Sequence, residues 1–469
     1  MTPRPTVDDL HRIAAWGDPG DVPDLPPLPE APARRVRTGL PAPRLRVPSW
    51  PWLRGPRARW LRVAAAVVVV AAVAAVVAVR SEQSDPVVAT PGTWRTMASG
   101  PLAPRTRAAA VWTGTEMLVF GGQGRGGELL SDGAAYDPRT DRWRPIAPNP
   151  GAGDGLWGAG GLATWTGTEM LLFLSTGDDA TTMWDWDLVA YDPATDHWRV
   201  VLEARFDRQP DDRLVERSPV PVQSPEAAAW MGDALVITGR QSDVGGYAWT
   251  RLDVAAATWD DLQMLPGSDV FSFHPKLAAG DGDRLMFMRQ AAIFPGDRTW
   301  AYVVEPDAAV AHVVDAPRPL DRAVRLDGAL TVSAGRFVFV GARTDDDGTS
   351  RPVAYVAEAR QPGITWQEVT APPVPPAPGE PDAELVGTPT RVLLLGGTAG
   401  DGGTALGSDA AVEHWERLPD PPIDLHRSGH VVVWTGQEVL VWGGDTDAVT
   451  GRLPGDPRSD GAAYSVPSD

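Results

Sequence analysis

The chain has 469 residues, a net charge of −19 and no cysteine. Without cysteine it has no disulfide framework, no thiolate metal site and no nucleophilic thiol. Residues 1–80 carry a net charge of +6, so the remainder carries −25. Because affinity for phosphate depends on clustered Lys and Arg, this acidic remainder argues against nucleic acid as a partner.

Residues 1–59 are rich in proline and arginine and short of aliphatic side chains. Such a composition buries too little apolar surface to offset the entropy lost on ordering. We therefore predict a disordered cytoplasmic tail with polyproline II character.

Residues 60–80 form the predicted transmembrane helix. Val63 to Val79 contains valine and alanine alone, and Trp60 and Leu61 extend it towards the roughly 20 residues that cross a bilayer. Four arginines precede the run, which places the amino terminus in the cytoplasm and exports everything after Arg80. A cleaved signal peptide and a buried core helix are the competing interpretations.

After a linker at 81–92, residues 93–469 repeat one short pattern. It begins as Trp112-Thr-Gly-Thr-Glu in the first copy and recurs at Trp165 and Trp434. A fixed period of about 40 to 50 residues is typical of β-propeller blades. We predict seven equivalent strands, with residues that alternate in and out, at 111–122, 164–175, 230–239, 283–289, 336–341, 391–397 and 434–444.

Aromatic residues recur downstream of these strands. Periodic aromatics in successive blades favour packing between sheets over catalysis. The tyrosines of Ala-Tyr pairs are Tyr136, Tyr191, Tyr302, Tyr355 and Tyr464, and the tryptophans are Trp143, Trp198, Trp259, Trp366 and Trp415.

This pattern resembles the kelch repeat, which combines a Pro-Arg-x-x-His opening, a strand ending in Gly-Gly, a Tyr-Asp-Pro strand and a downstream Trp. Blade 1 keeps Pro104-Arg105 with Gly121-Gly122, whereas blade 7 keeps Arg427 and His430. The resemblance, which extends to the central domain of galactose oxidase, implies an all-β, seven-bladed kelch-like β-propeller. The copper chemistry of galactose oxidase requires a Tyr–Cys link and is excluded here.

The two ends of the domain predict how the ring closes. The chain stops just after the third strand of blade 7, and Thr93 to Ala98 has the pattern of a fourth strand without the first three. Pairing these ends removes the exposed strand edges. Trp94 then takes the place that Trp143 has in blade 1.

Candidate channel or rim contacts are Arg105, Glu226, Arg427 and His430. Kelch-class carbohydrate epimerases use Arg and Glu in the channel, which is what the resemblance implies for the first three. The alternative, which we favour, is that Arg105 and Arg427 are structural residues of the repeat. The sequence offers no catalytic, cofactor-binding or metal-binding motif, and we predict none.

Function follows less directly than fold. We expect a single-pass bacterial membrane protein whose extracytoplasmic propeller is a non-enzymatic module binding an envelope protein or glycan, with recognition by the insertions 177–187 and 203–224. A carbohydrate-active envelope enzyme of epimerase or lyase type is the first alternative, and a sensor that signals through the tail is the second. Three or more charged side chains converging in the channel would favour the enzyme, whereas Ala, Val and Gly there would favour binding by the rims.

Overall fold

The computed structural model describes residues 87, 89–149, 155–156, 162–175, 185–208, 214–216, 222–241, 246–265, 275–280, 284–289, 299–305, 310–315, 325–344, 348–358, 364–373, 383–396, 404–447 and 455–468. These residues belong to one compact unit, Ser84–Asp469. The predicted tail 1–59 and helix 60–80 lie outside the described residues. In the ranges just given, no helix has the length and apolar character needed to cross a membrane.

Seven antiparallel blades make up the described domain, which confirms the predicted propeller. The innermost strands from blade 1 to blade 7 are β2 (Ala109–Trp112), β7 (Ala163–Trp165) with β6 (Gly155–Leu156), β13 (Ser224–Met231), β18 (Pro275–Gly280), β22 (Arg325–Ser333), β26 (Ala383–Gly387) and β30 (Val431–Trp434). The second strands are β3 (Met117–Phe120), β8 (Met170–Ser175), β14 (Ala234–Gln241), β19 (Leu285–Arg289), β23 (Arg336–Thr344), β27 (Arg391–Gly396) and β31 (Glu438–Trp442).

The outer half of each blade completes the four-stranded sheet. The third strands are β4 (Gly133–Asp137), β9 (Trp186–Asp192), β15 (Gly246–Asp253), β20 (Thr299–Glu305), β24 (Ser350–Glu358), β28 (Thr404–Asp409) and β32 (Gly461–Ser465). The fourth strands are β5 (Arg142–Pro145), β10 (His197–Ala204), β16 (Thr258–Trp259) with β17 (Gln263–Met264), β21 (Val310–Asp315), β25 (Gln367–Glu368), β29 (Trp415–Arg417) and β1 (Trp94–Thr96). Blade 2 is followed by a hairpin of β11 (Phe206–Arg208) and β12 (Leu214–Glu216), and a 3₁₀ turn spans Arg125–Gly127.

The innermost strands surround a central channel. Each contacts the next around the ring, from β2 through β7, β13, β18, β22, β26 and β30 back to β2. Between each pair of neighbouring blades lies one apolar cluster, to which both blades contribute. Since burying a large apolar side chain contributes about 1.5–3 kcal/mol, these seven clusters stabilise the ring.

The repeated motif is a hairpin rather than the single strand predicted at 111–122. Gly114, with φ of +96°, turns the chain between β2 and β3, and the Thr113 N–H donates to the Glu116 carbonyl at 3.0 Å. The expected alternation is also wrong for β3, because all four residues from Met117 to Phe120 are buried. Neighbouring blades cover both faces of this strand, so neither face meets solvent.

Ring closure occurs as predicted, between the two ends of the domain. β1 pairs antiparallel with β32, with Trp94 opposite Tyr464. The two rings lie 5.0 Å apart at 45°, and the Tyr136–Trp143 pair of blade 1 has the same spacing at 43°. Trp94 therefore fills in blade 7 the position that Trp143 fills in blade 1.

Two of the outer tryptophans, Trp143 and Trp198, join their blades to the preceding ones. The indole N–H of Trp143 donates to the Ala98 carbonyl at 2.9 Å, and that of Trp198 donates to the Ala147 carbonyl at 2.7 Å. Ala98 and Ala147 follow the last strand of the preceding blade. These tryptophans thus have the packing role that their periodicity predicts.

Candidate functional site

Arg105 lies in the loop that leads into blade 1 and is fully buried. Its Nη1 donates to the Gly121 carbonyl at 2.9 Å and its Nε to the Ala103 carbonyl at 3.0 Å. Nη2 lies 2.8 Å from Asp132 Oδ1, close enough for an ion pair but not aligned as a hydrogen bond. Burial lowers the pKa of Arg105, and the Asp132 charge opposes this shift.

Arg427 occupies the equivalent loop of blade 7 and is equally buried. Its Nη1 donates to the Gly443 carbonyl at 3.0 Å and to Asp460 Oδ1 at 2.9 Å, while Nε donates to the Asp424 carbonyl. Both guanidinium groups thus bind backbone carbonyls of their own blades. An arginine held in this way fixes the loop geometry and is withdrawn from any ligand at the rim.

His430 lies beside Arg427 at the start of β30 and is 5% exposed. Neither ring nitrogen has a hydrogen-bond partner among the described residues. Burial, and then the nearby Arg427 charge, lower its pKa to about 4. The imidazole is therefore neutral at physiological pH and packs as a buried ring.

Glu226 is in a different blade from the other three candidates. It sits at a bulge in β13 and is half-buried, with the Tyr247 hydroxyl donating to its carboxylate at 3.4 Å. Arg105, Arg427 and His430 instead flank the contact between blades 7 and 1. The four candidates therefore do not form one site.

Glu384 is a channel residue that sequence reasoning missed. It lies on the innermost strand β26 between Ala383 and Leu385, which are buried between blades 5 and 6. Its side chain is exposed to solvent, yet the surrounding protein raises the pKa of its carboxyl group to about 7. We interpret this as a side chain that reaches the channel water but is enclosed by the ring. The repeat pattern predicted the blade 6 strand at 391–397 and no strand around Glu384.

The rest of the channel wall, where its side chains are described, is short of charge. Among those innermost-strand residues, Glu226 and Glu384 are the two that carry one. The others are mostly Ala, Val, Gly, Thr and Trp. The described side chains of the wall therefore bring fewer than three charged groups together, while those of Lys276, Arg325 and Asp327 on β18 and β22 lie outside the described residues.

Four tryptophans lie at or next to the ends of the innermost strands of successive blades, at the same register. Each opposes the residue five positions later, at or next to the start of the second strand, and all four are half-buried: Trp434, Trp112, Trp165 and Trp230 in blades 7, 1, 2 and 3. The backbone N–H of Trp230 donates to Thr164 Oγ1 of the preceding blade at 3.1 Å, so these two innermost strands lie side by side. We call these four residues the tryptophan arc. In the sequence, the tryptophan that begins the repeated Trp-Thr-Gly pattern indicates three of these four positions.

The other half of this channel mouth has small residues at the same register. Gly280, Val332 and Gly387 take these positions in blades 4, 5 and 6. A Cβ on Gly387 would overlap the Val332 carbonyl oxygen, so close strand contact excludes a tryptophan there. This end of the channel is therefore lined by tryptophan on one side and by smaller residues on the other.

An acidic cluster and the two predicted recognition insertions give no site. Asp409, Glu413 and His414 place their ligand atoms within 4.8 Å of one another, but they are on an exposed turn where Asp409 already accepts the Glu413 N–H. The insertions 177–187 and 203–224, predicted to carry recognition, lie largely outside the described residues.

The match to a protein-family model agrees with the blade geometry. The Kelch motif matches residues 104–150, which contain blade 1. The chain is similar to the N-acetylneuraminate epimerase of Yersinia enterocolitica serotype O:8 / biotype 1B, with 30% identity over 130 residues. That match covers 26% of this chain and 32% of the relative, so it spans about a third of the relative's length. Among solved structures, the one titled Structure of YjhT matches 80% of this chain and 98% of its own, with 12% identity and a TM-score of 0.44.

Proposed function

We propose that this seven-bladed propeller, whose first blade contains a Kelch motif, is a non-enzymatic module that binds a glycan or protein of the cell envelope through one rim. The observation that carries the proposal is the burial of Arg105 and Arg427, whose guanidinium groups bind carbonyls within their own blades. The described channel wall lacks the cluster of charged groups that catalysis on a sugar would use. The tryptophan arc supplies aromatic surface at one rim instead.

The proposed function is tested by measuring whether the chain retains a ligand and releases it chemically unchanged. The full-length chain is immobilised and exposed to purified cell-wall polysaccharides and to envelope extracts, and bound material is eluted and analysed by mass spectrometry. We expect a glycan or protein to be retained and eluted unchanged. A sugar that is converted, with nothing retained, would overturn the proposal.

The proposed location is the outer side of the cell membrane, with residues 60–80 as the anchor and 1–59 in the cytoplasm. Its support is the valine- and alanine-rich run and the arginines before it. Protease added to intact spheroplasts should then degrade the propeller and leave the tail protected. Protection of the propeller would contradict this topology. If the protein were a sensor, deletion of 1–59 would abolish its cellular output while leaving ligand binding intact.

A carbohydrate-active enzyme is the second candidate, favoured by Glu384. A carboxyl group with a pKa of about 7 in a channel can donate or accept a proton at neutral pH. Partial similarity to an epimerase of N-acetylneuraminate gives the substrate class to test. Turnover of N-acetylneuraminate that disappears in Glu384→Gln would establish this candidate in place of the first.

A further inference from the structure

A groove of about 660 Å³ opens between blades 1 and 2 on the rim that bears the tryptophan arc. Its walls are the β2–β3 turn at 113–116, the β7–β8 turn at 166–169 and the segment 192–194, and Trp165 contributes the aromatic surface. This volume is within the range of about 300–1,000 Å³ typical of ligand pockets. The groove includes Trp165 of the tryptophan arc and contains none of Arg105, Glu226, Arg427 and His430.

The ring of Trp165 is held by packing, and its indole N–H makes no hydrogen bond with the described residues. Its ring packs against the apolar cluster between blades 1 and 2, which holds its orientation. Whereas Trp143, Trp198 and Trp415 donate their indole N–H groups to backbone carbonyls, Trp165 has no such partner among the described residues. Trp165 therefore lines the groove with an aromatic ring, and its indole N–H is a donor without a partner among the described residues.

Two of the three acidic residues that line the groove are paired with arginines. Arg144 holds Glu116 in a bidentate pair at 3.0 and 2.7 Å. Arg199 holds Glu169 in the same way at 2.8 and 2.6 Å. Such paired carboxylates keep lone pairs for further hydrogen bonds while attracting a charged ligand only weakly.

Asp192 is also engaged. Its carboxylate accepts the Ala194 N–H and the Thr195 hydroxyl, each at 2.8 Å, and these hydrogen bonds lower its pKa. The exposed Thr115 and Thr168 add hydroxyl groups at the two turn tips. The groove thus combines one aromatic platform with threonine hydroxyls, two carboxylates paired with arginine and the ionised Asp192, whose carboxylate is hydrogen-bonded locally.

We propose that this groove binds a neutral pyranose unit of a polysaccharide, stacked on Trp165. The C–H groups on one face of a pyranose carry partial positive charge and complement the negative π face of the indole. The ring hydroxyls match the threonines, the free indole N–H and the paired carboxylates. A peptide ligand would need a separate apolar pocket for each of its side chains, whereas Trp165 is the one aromatic residue among the described residues that line this groove. This assignment rests on the proposed binding function and specifies its ligand.

Isothermal titration calorimetry on the full-length chain tests the site. The probes are maltohexaose, cellohexaose, chitohexaose and xylohexaose, with 3′-sialyllactose as the charged comparison. We expect at least one neutral hexaose to bind, and Trp165→Ala to weaken its binding about tenfold or more, as for a buried aromatic anchor. Trp415→Ala is the matched control, since it removes a half-buried tryptophan from the outer strand of blade 6, outside both the groove and the tryptophan arc, and it should change affinity less than about twofold.

A second variant protects the test against misfolding. Ala194 is exposed at the groove edge, so Ala194→Arg should fold normally and block the groove, which would also reduce binding at least about tenfold. If a hexaose binds equally to both variants, the groove assignment fails and the glycan-binding function stands. If 3′-sialyllactose alone binds, the neutral class is wrong. If no probe binds, the groove assignment fails, and a protein ligand remains for the binding function.

Discussion

Trp94 and Tyr464, at opposite ends of the propeller domain, face each other across antiparallel strands with ring centroids 5.0 Å apart. This contact closes the ring, because β1 supplies the fourth strand that blade 7 lacks. Closure also covers an edge that would otherwise expose unpaired backbone groups. The propeller therefore depends on three residues at its amino-terminal end.

Trp94→Ala should destabilise the domain by about 3 kcal/mol, because it removes most of the aromatic packing at the closing strand. Trp94→Phe keeps a ring against Tyr464 and should recover most of that loss. Urea unfolding followed by circular dichroism measures both. Equal stability of Trp94→Ala and wild type would show that closure does not depend on this contact.

Arg105→Ala should cost about 2–4 kcal/mol, since it leaves the carbonyls of Gly121 and Ala103 without their buried donor. Asp132→Ala is the matched change, and it should cost less than about 1 kcal/mol because the Asp132 side chain is 59% exposed. Thermal unfolding of the two variants ranks them. A larger loss for Asp132→Ala would mean that the ion pair, rather than the carbonyl contacts, holds the loop.

Protonation of His430 should destabilise the fold. Its pKa falls from 6.5 to about 4 on folding, so the folded state favours the neutral ring. Between these two values the unfolded chain binds the proton more tightly than the folded one. The free energy of unfolding is therefore highest above pH 6.5 and decreases as the pH falls towards 4. His430→Leu should flatten this part of the profile, measured as the free energy of unfolding from pH 7 to pH 4.5. An unchanged slope would assign the acid sensitivity to other groups.

Glu384 should make the free energy of unfolding change with pH in the opposite direction. Its pKa rises from 4.5 to about 7, so folding favours the protonated acid and stability falls as the pH rises between these values. Water in the channel reduces the size of the effect, since the side chain is exposed. Glu384→Gln should be more stable than wild type at pH 8 and equal to it at pH 4. A wild-type profile retained in Glu384→Gln would contradict a raised pKa at this residue.

The repeat predicted the fold well, because propeller blades recur in sequence as they do in space. The ends at Trp94 and Tyr464 even predicted how the ring closes. The candidate contacts were harder to place, since burial decides whether an arginine such as Arg105 faces a ligand or a carbonyl. Periodicity could not separate Trp165 from Trp198, because both recur with the blades. Their different roles depend on which indole N–H meets a carbonyl, and that follows from the three-dimensional contact between blades.

Glu384 shows the same limit for charged residues. Its neighbours in the sequence did not predict a strand, and they do not indicate that the strand found there is the innermost one. The solvent access and raised pKa of Glu384 depend on the whole ring around it. Such a property arises from residues far apart in the sequence.

The most direct test of binding without turnover is saturation-transfer difference NMR on the full-length chain with whichever glycan it retains. We predict saturation transfer to the sugar C–H protons, while the one-dimensional spectrum of the glycan stays unchanged over a day. New sugar resonances that appear with the wild-type chain and are absent with Glu384→Gln would contradict this account and establish an enzyme.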